Sequence, residues 1–384
     1  MKLTSATFAY PMVDGSIRAD LATRLAREKV GESVFVLSTC LRIEVLVVGD
    51  RRRLDATCGN LFGDATLVEH ASTRYDHEAL THIFRVVSGL ESPIVGEREI
   101  LTQFRQALTE LEAMGSVGGL MAKLLETAVA VGRQVRHLMP DSPHDSMAAV
   151  AAQMVGGSER VAVLGAGAMG RAVAHSLLAL PAPPEITMIV RSPENVDIPG
   201  VRVAPMSEAG SALAEWPAVV SATSATGRLV PDQEVAGFLE LRSGPLILVD
   251  LAMPPDIAPP ASPAIQHIDI DDLARRAQRT VDTAEADRFV EHAALDAFRH
   301  AGTHHEIGPV IGEMMRSADD IVDRIVKRFE GRLGSGDDRG VLRQTAHTVA
   351  RTLLAAPVSF LRSTERPREA VDLLMEAFAI GEQA

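Results

Sequence analysis

The 384-residue chain contains only two cysteines, Cys40 and Cys58, which excludes a disulfide-based scaffold. A bridge between these two thiols has no support in the sequence, so the cysteine usage favours a reducing compartment. No apolar run approaches the roughly 20 residues that a membrane-spanning helix requires, and Met1-Lys2-Leu3-Thr4 does not begin a signal peptide. We therefore expect a cytoplasmic protein that does not enter a membrane.

The chain also lacks an excess of basic residues, since its formal net charge is −13. This charge argues against a general nucleic-acid-coating protein but leaves room for one structured RNA on a local basic patch. Candidates are Arg51-Arg52-Arg53 and the helical set Lys123, Arg133 and Arg136, although residues of this kind also occur on an ordinary solvated face. No metal site is predicted.

The length allows two or three domains, and the order of the patterns divides the chain into three, at 1–143, 144–270 and 271–384. The first is a mixed α/β unit, with strands near 3–9, 33–38 and 43–49 and helices near 17–29, 77–88, 94–114 and 118–138. It ends at Asp141-Ser142-Pro143. The second alternates helices (146–155, 168–180) with strands (160–164, 186–190, 218–221, 246–250). This alternation predicts a parallel, doubly wound sheet of the Rossmann type.

The third segment is expected to be entirely helical. A charged helical pattern covers 271–300, a second runs from Gly308-Pro309 to about 331, and a loop is expected at 334–338. Further helical patterns follow at 340–355 and 366–380. The front half has too little apolar content to form its own globule, so a long helix that leads to a dimer interface explains it better. We expect a homodimer.

An isolated thiol lies at the end of the apolar, β-branched strand Ser33–Leu37. This thiol, Cys40, is followed two residues later by Arg42, and a nearby cation favours the thiolate over the thiol. A thiolate at this position suits attack on a carbonyl group. The alternative, a buried structural cysteine, remains open on the residues of this segment alone.

The stretch Val161–Gly170 fits a strand, a glycine turn and a helix with the spacing Gly165-Ala166-Gly167-Ala168-Met169-Gly170. The glycines allow a tight turn, close approach of the backbone to a pyrophosphate, and close helix packing, while the helix amino terminus attracts phosphate. The next strand runs into Arg191-Ser192 without an acid, which favours NADPH over NADH because a guanidinium and a hydroxyl can hold a 2′-phosphate. Two later turns, 221–227 and 250–256, follow strands that should share this edge of the sheet.

Five segments, in the same order, resemble the glutamyl-tRNA reductase family. They are Ser38-Thr39-Cys40-x-Arg42-x-Glu44, Gly89-Leu90-Glu91-Ser92-x-x-x-Gly96-Glu97-x-x-Ile100-x-x-Gln103, the glycine turn, Asp250-Leu251-Ala252-Met253-Pro254-x-Asp256, and Leu354-x-Ala356-Pro357. The resemblance implies a V-shaped dimer in which a catalytic, an NADPH-binding and a dimerisation domain are arranged along a long spinal helix.

The same resemblance implies the reaction. Cys40 would attack the ester of glutamyl-tRNA, and NADPH would reduce the resulting thioester to glutamate-1-semialdehyde, the first step of five-carbon tetrapyrrole synthesis. Arg42 would hold the substrate carboxylate and, less fully, lower the pKa of Cys40. Thr39, Ser92, Glu97 and Gln103 would help to fix the amino acid. A glutamate-semialdehyde aminotransferase is a possible partner.

Four positions depart from the pattern of the family. Leu41 and Ile43 replace an Asn and a Thr, Glu99 replaces a Gln, and Pro255 replaces an Arg. An active-site His of the family aligns with Arg74, with His70 and His77 close by, so the proton donor stays open among these three. The departures leave two alternatives, a paralogue that reduces another aminoacyl-tRNA or activated acid and a non-catalytic regulatory homologue.

Overall fold

A computed structural model describes residues 1–25, 33–97, 99–113, 119–139, 146–223, 225, 228–230, 232–242, 244–258, 262–277, 281–329, 336–363 and 367–377. The chain divides into two compact units, Lys2–Leu295 and Asp296–Ala384, and the second also includes Met1. Among the helices of the described ranges, none is both long and apolar enough to cross a membrane.

The first sheet is antiparallel, with the strand order β2-β3-β1-β4. Its strands are β1 (Leu3–Ala9), β2 (Val34–Ser38), β3 (Arg42–Val48) and β4 (Ser72–Tyr75). Three of them were expected from their apolar, β-branched residues. The fourth was missed because its residues are polar and half-exposed, and it is recognisable as a strand only by its pairing with β1.

Five helices accompany this sheet: α1 (Gly15–Leu25), α2 (Arg51–Phe62), α3 (Asp76–Val87), α4 (Glu99–Ala113) and α5 (Gly119–Leu138). Helix α2 was not predicted, although Asp50 caps its first turn by accepting a hydrogen bond from Arg53 N at 3.3 Å. Helix α4 begins at Glu99 rather than at 94, because the preceding residues form turns. The expected boundary at 141–143 lies outside the described residues.

The second sheet confirms the predicted parallel, doubly wound fold. Its six strands follow the order β10-β9-β8-β5-β6-β7 and pair only in parallel. They are β5 (Arg160–Leu164), β6 (Glu185–Val190), β7 (Val201–Pro205), β8 (Ala218–Ser221), β9 (Leu246–Asp250) and β10 (Ile265–Ile268). The two edge strands, β7 and β10, were missed because only one residue of each is fully buried, and neither gives a continuous apolar run.

The helices of this region are α6 (Met147–Val155), α7 (Ala168–Leu178), α8 (Ala209–Glu215), α9 (Asp232–Glu240) and α10 (Ile270–Ala277). Helix α10 buries Leu273 and Ala274 in the same core as β5 and α6. The expectation of one helical segment over 271–300 is therefore wrong. Helix α10 ends at Ala277, and the next helix begins at Ala284, whose amide donates to Asp282 at 3.1 Å.

The carboxyl-terminal region is helical, as expected, with α11 (Ala284–Phe329), α12 (Gly336–Ser363) and α13 (Pro367–Ala377). Three of the expected boundaries are wrong. Helix α11 continues through Gly308-Pro309, and α12 includes residues 336–338 and continues through Pro357. A proline inside a helix costs one hydrogen bond, but burial of Ile307 and Met314 with Leu354 in one core offsets that cost. Residues 334–335 lie outside the described part.

Candidate active site

Cys40 lies in the tight connection between β2 and β3. The backbone closes this connection through Thr39 N, which donates to Arg42 O at 2.8 Å, and through Tyr10 N, which donates to Leu41 O at 3.0 Å. The thiol is a free, half-buried Cys that packs against the core of the parallel sheet. The predicted nucleophile is thus held by backbone hydrogen bonds on both sides.

A small cavity beside Cys40 brings together residues that are distant in the sequence. Its volume is ≈ 20 Å³, about the space of one water molecule. It is lined by Thr39, Cys40, Leu41, Arg42, Ser92, Pro93, Glu97, Glu99, Ile100, Gln103, Met147 and Met169. All six residues predicted for catalysis and substrate binding are among them, and Met169 comes from the glycine turn. An aminoacyl group would need this cavity to open.

Arg42 is the end of a buried polar chain. Its Nη1 donates to Glu44 Oε1 at 3.3 Å and its Nη2 to the carbonyl oxygen of Glu91. Glu44, fully buried, also accepts from Thr7 Oγ1 at 2.6 Å and lies 3.1 Å from His82 Nε2. Burial would raise the pKa of Glu44, but His82, Arg42 and Thr7 hold it below its usual value. The network therefore keeps an ionised carboxylate in the core.

Arg42 is not among the main influences on the pKa of Cys40, so the expectation that it lowers this pKa stays a prediction. Burial, with the charges of Glu97 and Glu99, raises the pKa of Cys40 to about 12, and the cation that opposes this rise is Arg18. The guanidinium of Arg42 is paired with Glu44. In this state the thiol is protonated at neutral pH.

The acidic side of the cavity is itself unusual. Burial and the neighbouring Glu99 raise the pKa of Glu97 to about 7, against the lowering influence of Arg42 and of hydrogen bonds with Ser92 and Met147. Burial also raises the pKa of Glu99. Glu97 is therefore about half protonated at neutral pH, so it is able either to accept or to release a proton beside the thiol.

The two substitutions that flank Arg42 have different surroundings. Leu41 lines the cavity and packs into the core of the parallel sheet. Ile43 lies within β3 and is fully buried in another core, with Phe8, Leu54 and Phe62, whereas Leu41 belongs to the connection before this strand. Of the two, only Leu41 changes the chemistry of the cavity wall.

His82 is a candidate site residue that sequence reasoning missed. It is 4% exposed on α3 and lies between Glu44 and Thr7 Oγ1, 2.9 Å from the latter. The available signal was a histidine on the apolar face of a helical pattern, between Ala79, Leu80 and Ile83. A buried histidine of this kind needs a polar partner, but the sequence pattern identifies neither that partner nor a role for the histidine.

A wider pocket of ≈ 600 Å³ lies behind the Arg42–Glu44–His82 chain. It is lined by Arg74, His77, Glu78, Thr81, His82, Arg85, Glu91, Glu291 and Leu295. Arg74 Nη1 donates to Thr7 Oγ1 at 3.3 Å. Of the three proposed proton donors, Arg74 and His77 line this pocket, whereas exposed His70 lines neither cavity. None of the three is placed beside Cys40.

The glycine turn has the geometry that a dinucleotide requires. Gly165 has φ +97°, and a Cβ there would lie 2.7 Å from Ala222 O. A Cβ on Gly170 would overlap the carbonyl oxygen of Gly165, whereas one on Gly167 would meet no described atom within 4 Å. The turn therefore leaves open space at Gly167, next to Ala166 and the amino terminus of α7, where a pyrophosphate would bind.

The end of β6 carries the residues expected to select the cofactor. Arg191 and Ser192 are exposed after this strand. Arg171, which was missed, connects the same loop to the glycine turn by donating from Nε to Ala166 O at 2.9 Å and from Nη2 to Asn195 O at 3.2 Å. Its signal was a cation directly after the third glycine of the motif.

Two buried acids join the later turns of this sheet edge. Asp250 accepts hydrogen bonds from Ala252 N and Ile257 N, both at 3.0 Å. Asp256 accepts from Ser221 Oγ at 2.7 Å and from Thr223 Oγ1 at 2.6 Å. Burial raises the pKa of Asp250 to about 7. These bonds fix the loops after β8 and β9; residues 224, 226 and 227 of the first loop lie outside the described part.

Comparison with known proteins gives matches along most of the chain. Family models match at 12–138 (glutamyl-tRNAGlu reductase, N-terminal domain), 149–276 (shikimate / quinate 5-dehydrogenase) and 285–380 (glutamyl-tRNAGlu reductase, dimerisation domain). A glutamyl-tRNA reductase of Polaromonas sp. is 31% identical over 82% of this chain and 78% of its own. The glutamyl-tRNA reductase of Salinispora arenicola is 30% identical, and the match covers 89% of this chain and 81% of the relative. The glutamyl-tRNA reductase structure from Methanopyrus kandleri is 24% identical in sequence and has a TM-score of 0.47. The match covers 98% of this chain and 99% of that structure.

Proposed function

This chain belongs to the glutamyl-tRNA reductase family, and on that premise we propose that it reduces the glutamyl group of glutamyl-tRNA to glutamate-1-semialdehyde through a thioester on Cys40. The reaction is the first step of five-carbon tetrapyrrole synthesis. One observation carries the assignment of residues: Cys40 shares a cavity with Thr39, Ser92, Gln103 and Met169 of the glycine turn. A nucleophile, a set of polar groups and the edge of a dinucleotide site therefore meet at one point.

The chemistry follows from this arrangement. The thiolate of Cys40 attacks the ester carbonyl, a C–S bond forms, the C–O bond to the terminal ribose breaks, and the released oxygen takes one proton. Hydride addition to the thioester carbonyl then breaks the C–S bond, so that the aldehyde leaves and Cys40 recovers its proton. Covalent capture divides one difficult reduction into two easier steps. Arg42, Thr39, Ser92, Glu97 and Gln103 orient the amino acid.

The cofactor site fits a dinucleotide, because the cradle at Gly167 is open and the two flanking glycines cannot carry a side chain. When bound, NADPH supplies the hydride. Gly165, Ala166, Gly167, Met169 and Gly170 would surround the pyrophosphate. Arg191, Ser192 and Arg171 would hold the 2′-phosphate, since guanidinium groups bind phosphate through paired, charged hydrogen bonds.

The partners follow the same division of the chain. We assign 1–143 to aminoacyl recognition, 144–270 to NADPH binding, and 271–384 to the spinal helix and the dimer interface. The family model at 285–380 supports a homodimer. The product is a reactive aldehyde, so direct transfer to a glutamate-semialdehyde aminotransferase is a sensible arrangement. The tRNA would dock locally, because the chain as a whole is acidic.

Trapping of the acyl-enzyme tests this function. Incubation with glutamyl-tRNA radiolabelled in the amino acid, without cofactor, should give one equivalent of label on the peptide that contains Cys40. Cys40→Ser should give none and should form no aldehyde after NADPH is added. Cys58→Ser is the matched control, because Cys58 is fully buried in a separate core, and it should keep the label. Aldehyde formation by Cys40→Ser at the parental rate would refute covalent catalysis.

Specificity is tested in the same assay. A panel of aminoacyl-tRNAs should give label and aldehyde with glutamyl-tRNA by a wide margin, and an equal rate with another amino acid would refute the assigned substrate. For the cofactor, Arg191→Ala should weaken NADPH binding at least tenfold, measured by fluorescence of the bound nicotinamide, and leave NADH binding unchanged. Equal losses for both cofactors would contradict the role of Arg191 at the 2′-phosphate.

A further inference from the structure

Arg42, which we assign to the substrate, is oriented by a turn from outside its own strand. Its Nη2 donates to the carbonyl oxygen of Glu91, and the next residue, Ser92, lines the cavity beside Cys40. Both belong to the 88–97 turn, which lies between α3 and α4. The position of this turn therefore decides where two of the groups expected to bind the amino acid lie.

The backbone of the 88–97 turn closes on itself. Gly96 N donates to Gly89 O at 3.0 Å, and Ser92 N donates to the same oxygen at 3.3 Å. Gly89 has φ +75°, and a Cβ there would lie 2.9 Å from the carbonyl oxygen of Glu97, so the position requires glycine. These bonds are local, so they shape the turn but do not anchor it to a distant part of the chain.

Arg85 supplies such an anchor. Its Nε donates to Glu91 Oε1 at 2.5 Å, and its Nη1 donates to Asp287 Oδ1 in the first turn of α11. The side chains of Arg85, Glu91 and Asp287 are 28%, 31% and 29% exposed, so neither ion pair is fully solvated. Arg85 does not line the cavity beside Cys40. Its contact with the cavity residues therefore runs through Glu91.

Asp287 is itself held in place within α11. Its Oδ2 accepts from Thr283 Oγ1 at 2.7 Å, and its amide donates to Thr283 O at 2.8 Å. A carboxylate in the first turn of a helix is also stabilised by the positive end of the helix dipole. Asp287 therefore presents one carboxylate oxygen to Arg85 from a fixed position.

The charges around Glu91 support the same arrangement. Burial would raise its pKa, but the hydrogen bond from Arg85 and the nearby charges of His82 and Arg42 hold that pKa below the usual value. Glu91 thus connects two arginines, since its carboxylate receives Arg85 and its backbone carbonyl receives Arg42.

We propose that Arg85 is a positioning residue for the aminoacyl group, because it fastens the 88–97 turn to the first turn of α11 and so holds Arg42 and Ser92 where they bind the amino acid. The inference rests on the proposed function, since it needs an aminoacyl group in the cavity. It deepens that function by adding a residue that touches no substrate.

The concentration dependence of Cys40 acylation tests this role. The full-length protein is incubated with increasing glutamyl-tRNA, without cofactor, and the initial rate of labelling is measured. Arg85→Gln breaks both ion pairs, so the concentration that gives half the maximal rate should rise about tenfold, the scale of one lost hydrogen bond to a charged group. The maximal rate should change much less, because Arg85 does not line the cavity that holds the thiol. NADPH binding should match that of the parent.

A double variant separates positioning from a general loss of stability. Glu91→Gln should raise the same concentration, and Arg85→Gln added to it should have little further effect, because both changes break one connection. Asp287→Asn should act in the same direction but less, since an amide oxygen can still accept from Arg85. Arg202→Gln is the matched control, because it removes one arginine from an exposed pair with Glu185 and should leave the acylation unchanged.

Hydrogen exchange of the protein alone gives a measurement that needs no substrate. In Arg85→Gln, the amides of Ser92 and Gly96, which close the 88–97 turn, should exchange faster than in the parent. Amides of β1 and β3 should be unchanged. If Arg85→Gln does not fold, Glu91→Gln and Asp287→Asn decide the question by the same two measurements.

Two results would overturn the proposal. One is a parental half-saturating concentration for Arg85→Gln and Glu91→Gln, and the other is an additive loss in the double variant, as two independent structural effects would give. Failure of the proposed function has a different signature, because the parent itself would then take no label from glutamyl-tRNA, and this inference would fall with it. If the parent is labelled and the Arg85 variant has the parental concentration dependence, only the positioning role is lost.

Discussion

The buried carboxylate of Glu44 allows a direct test of the hydrogen-bond network in the antiparallel-sheet region. Glu44 is 0% exposed and accepts hydrogen bonds from Thr7 and Arg42, with His82 at 3.1 Å. Glu44→Gln would keep the shape of the side chain but leave the guanidinium of Arg42, whose side chain is 6% exposed, without its counterion. Breaking a buried ion pair on one side costs about 3–5 kcal/mol because the remaining charge is not compensated.

Hydrogen exchange measures this cost where it arises. A loss of about 3–5 kcal/mol corresponds to at least about 100-fold faster exchange of the amides in β1 and β3 when exchange occurs through opening of the sheet. Amides of β5 and β6 in the parallel sheet should change little, which provides an internal reference in the same sample. Glu185→Gln is the control variant, since Glu185 forms an exposed pair with Arg202 at 3.0 Å and should cost under about 1 kcal/mol.

The effect should also depend on pH with a defined sign. The pKa of Glu44 in the folded protein lies below its usual value, so its ionised form contributes stability above that usual value. This contribution is lost as the pH falls through the lowered pKa of the folded state. The difference between parent and Glu44→Gln should therefore be large at pH 7 and shrink below pH 4.5. A cost under about 1 kcal/mol at pH 7, or a difference that does not change down to pH 3, would refute the reasoning.

Three further predictions concern the cavity and the glycine turn. Gly167→Ala should keep the parental melting temperature yet lose NADPH binding, because its Cβ meets only the space assigned to the ligand, whereas Gly170→Ala should lower the melting temperature as well; equal melting temperatures would contradict this. For Glu97, a folded-state pKa of about 7 against 4.5 means that the folded parent binds more protons between these values. Its stability should therefore fall by roughly 3 kcal/mol as the pH rises from 4.5 to 7. A Glu97→Gln variant with the same pH dependence of unfolding would contradict the raised pKa of Glu97. Ile43→Thr should destabilise the protein by about 1–3 kcal/mol with an unchanged KM, because it buries a hydroxyl in an apolar core. Leu41→Asn should change the KM, because Leu41 lines the cavity beside Cys40; the reverse pattern would contradict the placement of these two side chains.

The elements that sequence reasoning predicted well are those whose signal is local. Strands β2, β5 and β9 each contain four consecutive apolar residues, and the glycine turn encodes its own backbone geometry. The missed strands, β4, β7 and β10, lie at sheet edges, where one side lacks a partner strand and exposed residues interrupt the apolar pattern. The predicted break at Gly308-Pro309 failed for a related reason, since the helix is stabilised by a core built from Met314 and the distant Leu354.

The predicted members of the candidate site were recognised by resemblance, and the structure brings all six to one cavity. Their charges could not be predicted in the same way. Cys40 and Arg42 are two residues apart, which suggested that the guanidinium serves the thiol. Arg42 instead points along its strand to Glu44, as residues separated by two on one face of a strand do.

The electrostatic state of the thiol is therefore set by contacts that no local pattern contains. The pKa of Cys40 depends on burial, on two acids about sixty residues later in the chain, and on Arg18 before it. Arg18 in turn pairs with Asp271, more than 250 residues further on, in the helix that follows the last strand of the parallel sheet. A substrate ammonium that binds against Glu97 and Glu99 would cancel the two charges that oppose the thiolate. The aminoacyl group that we propose Cys40 attacks would then help to ionise the thiol, which would be reactive chiefly when substrate is present.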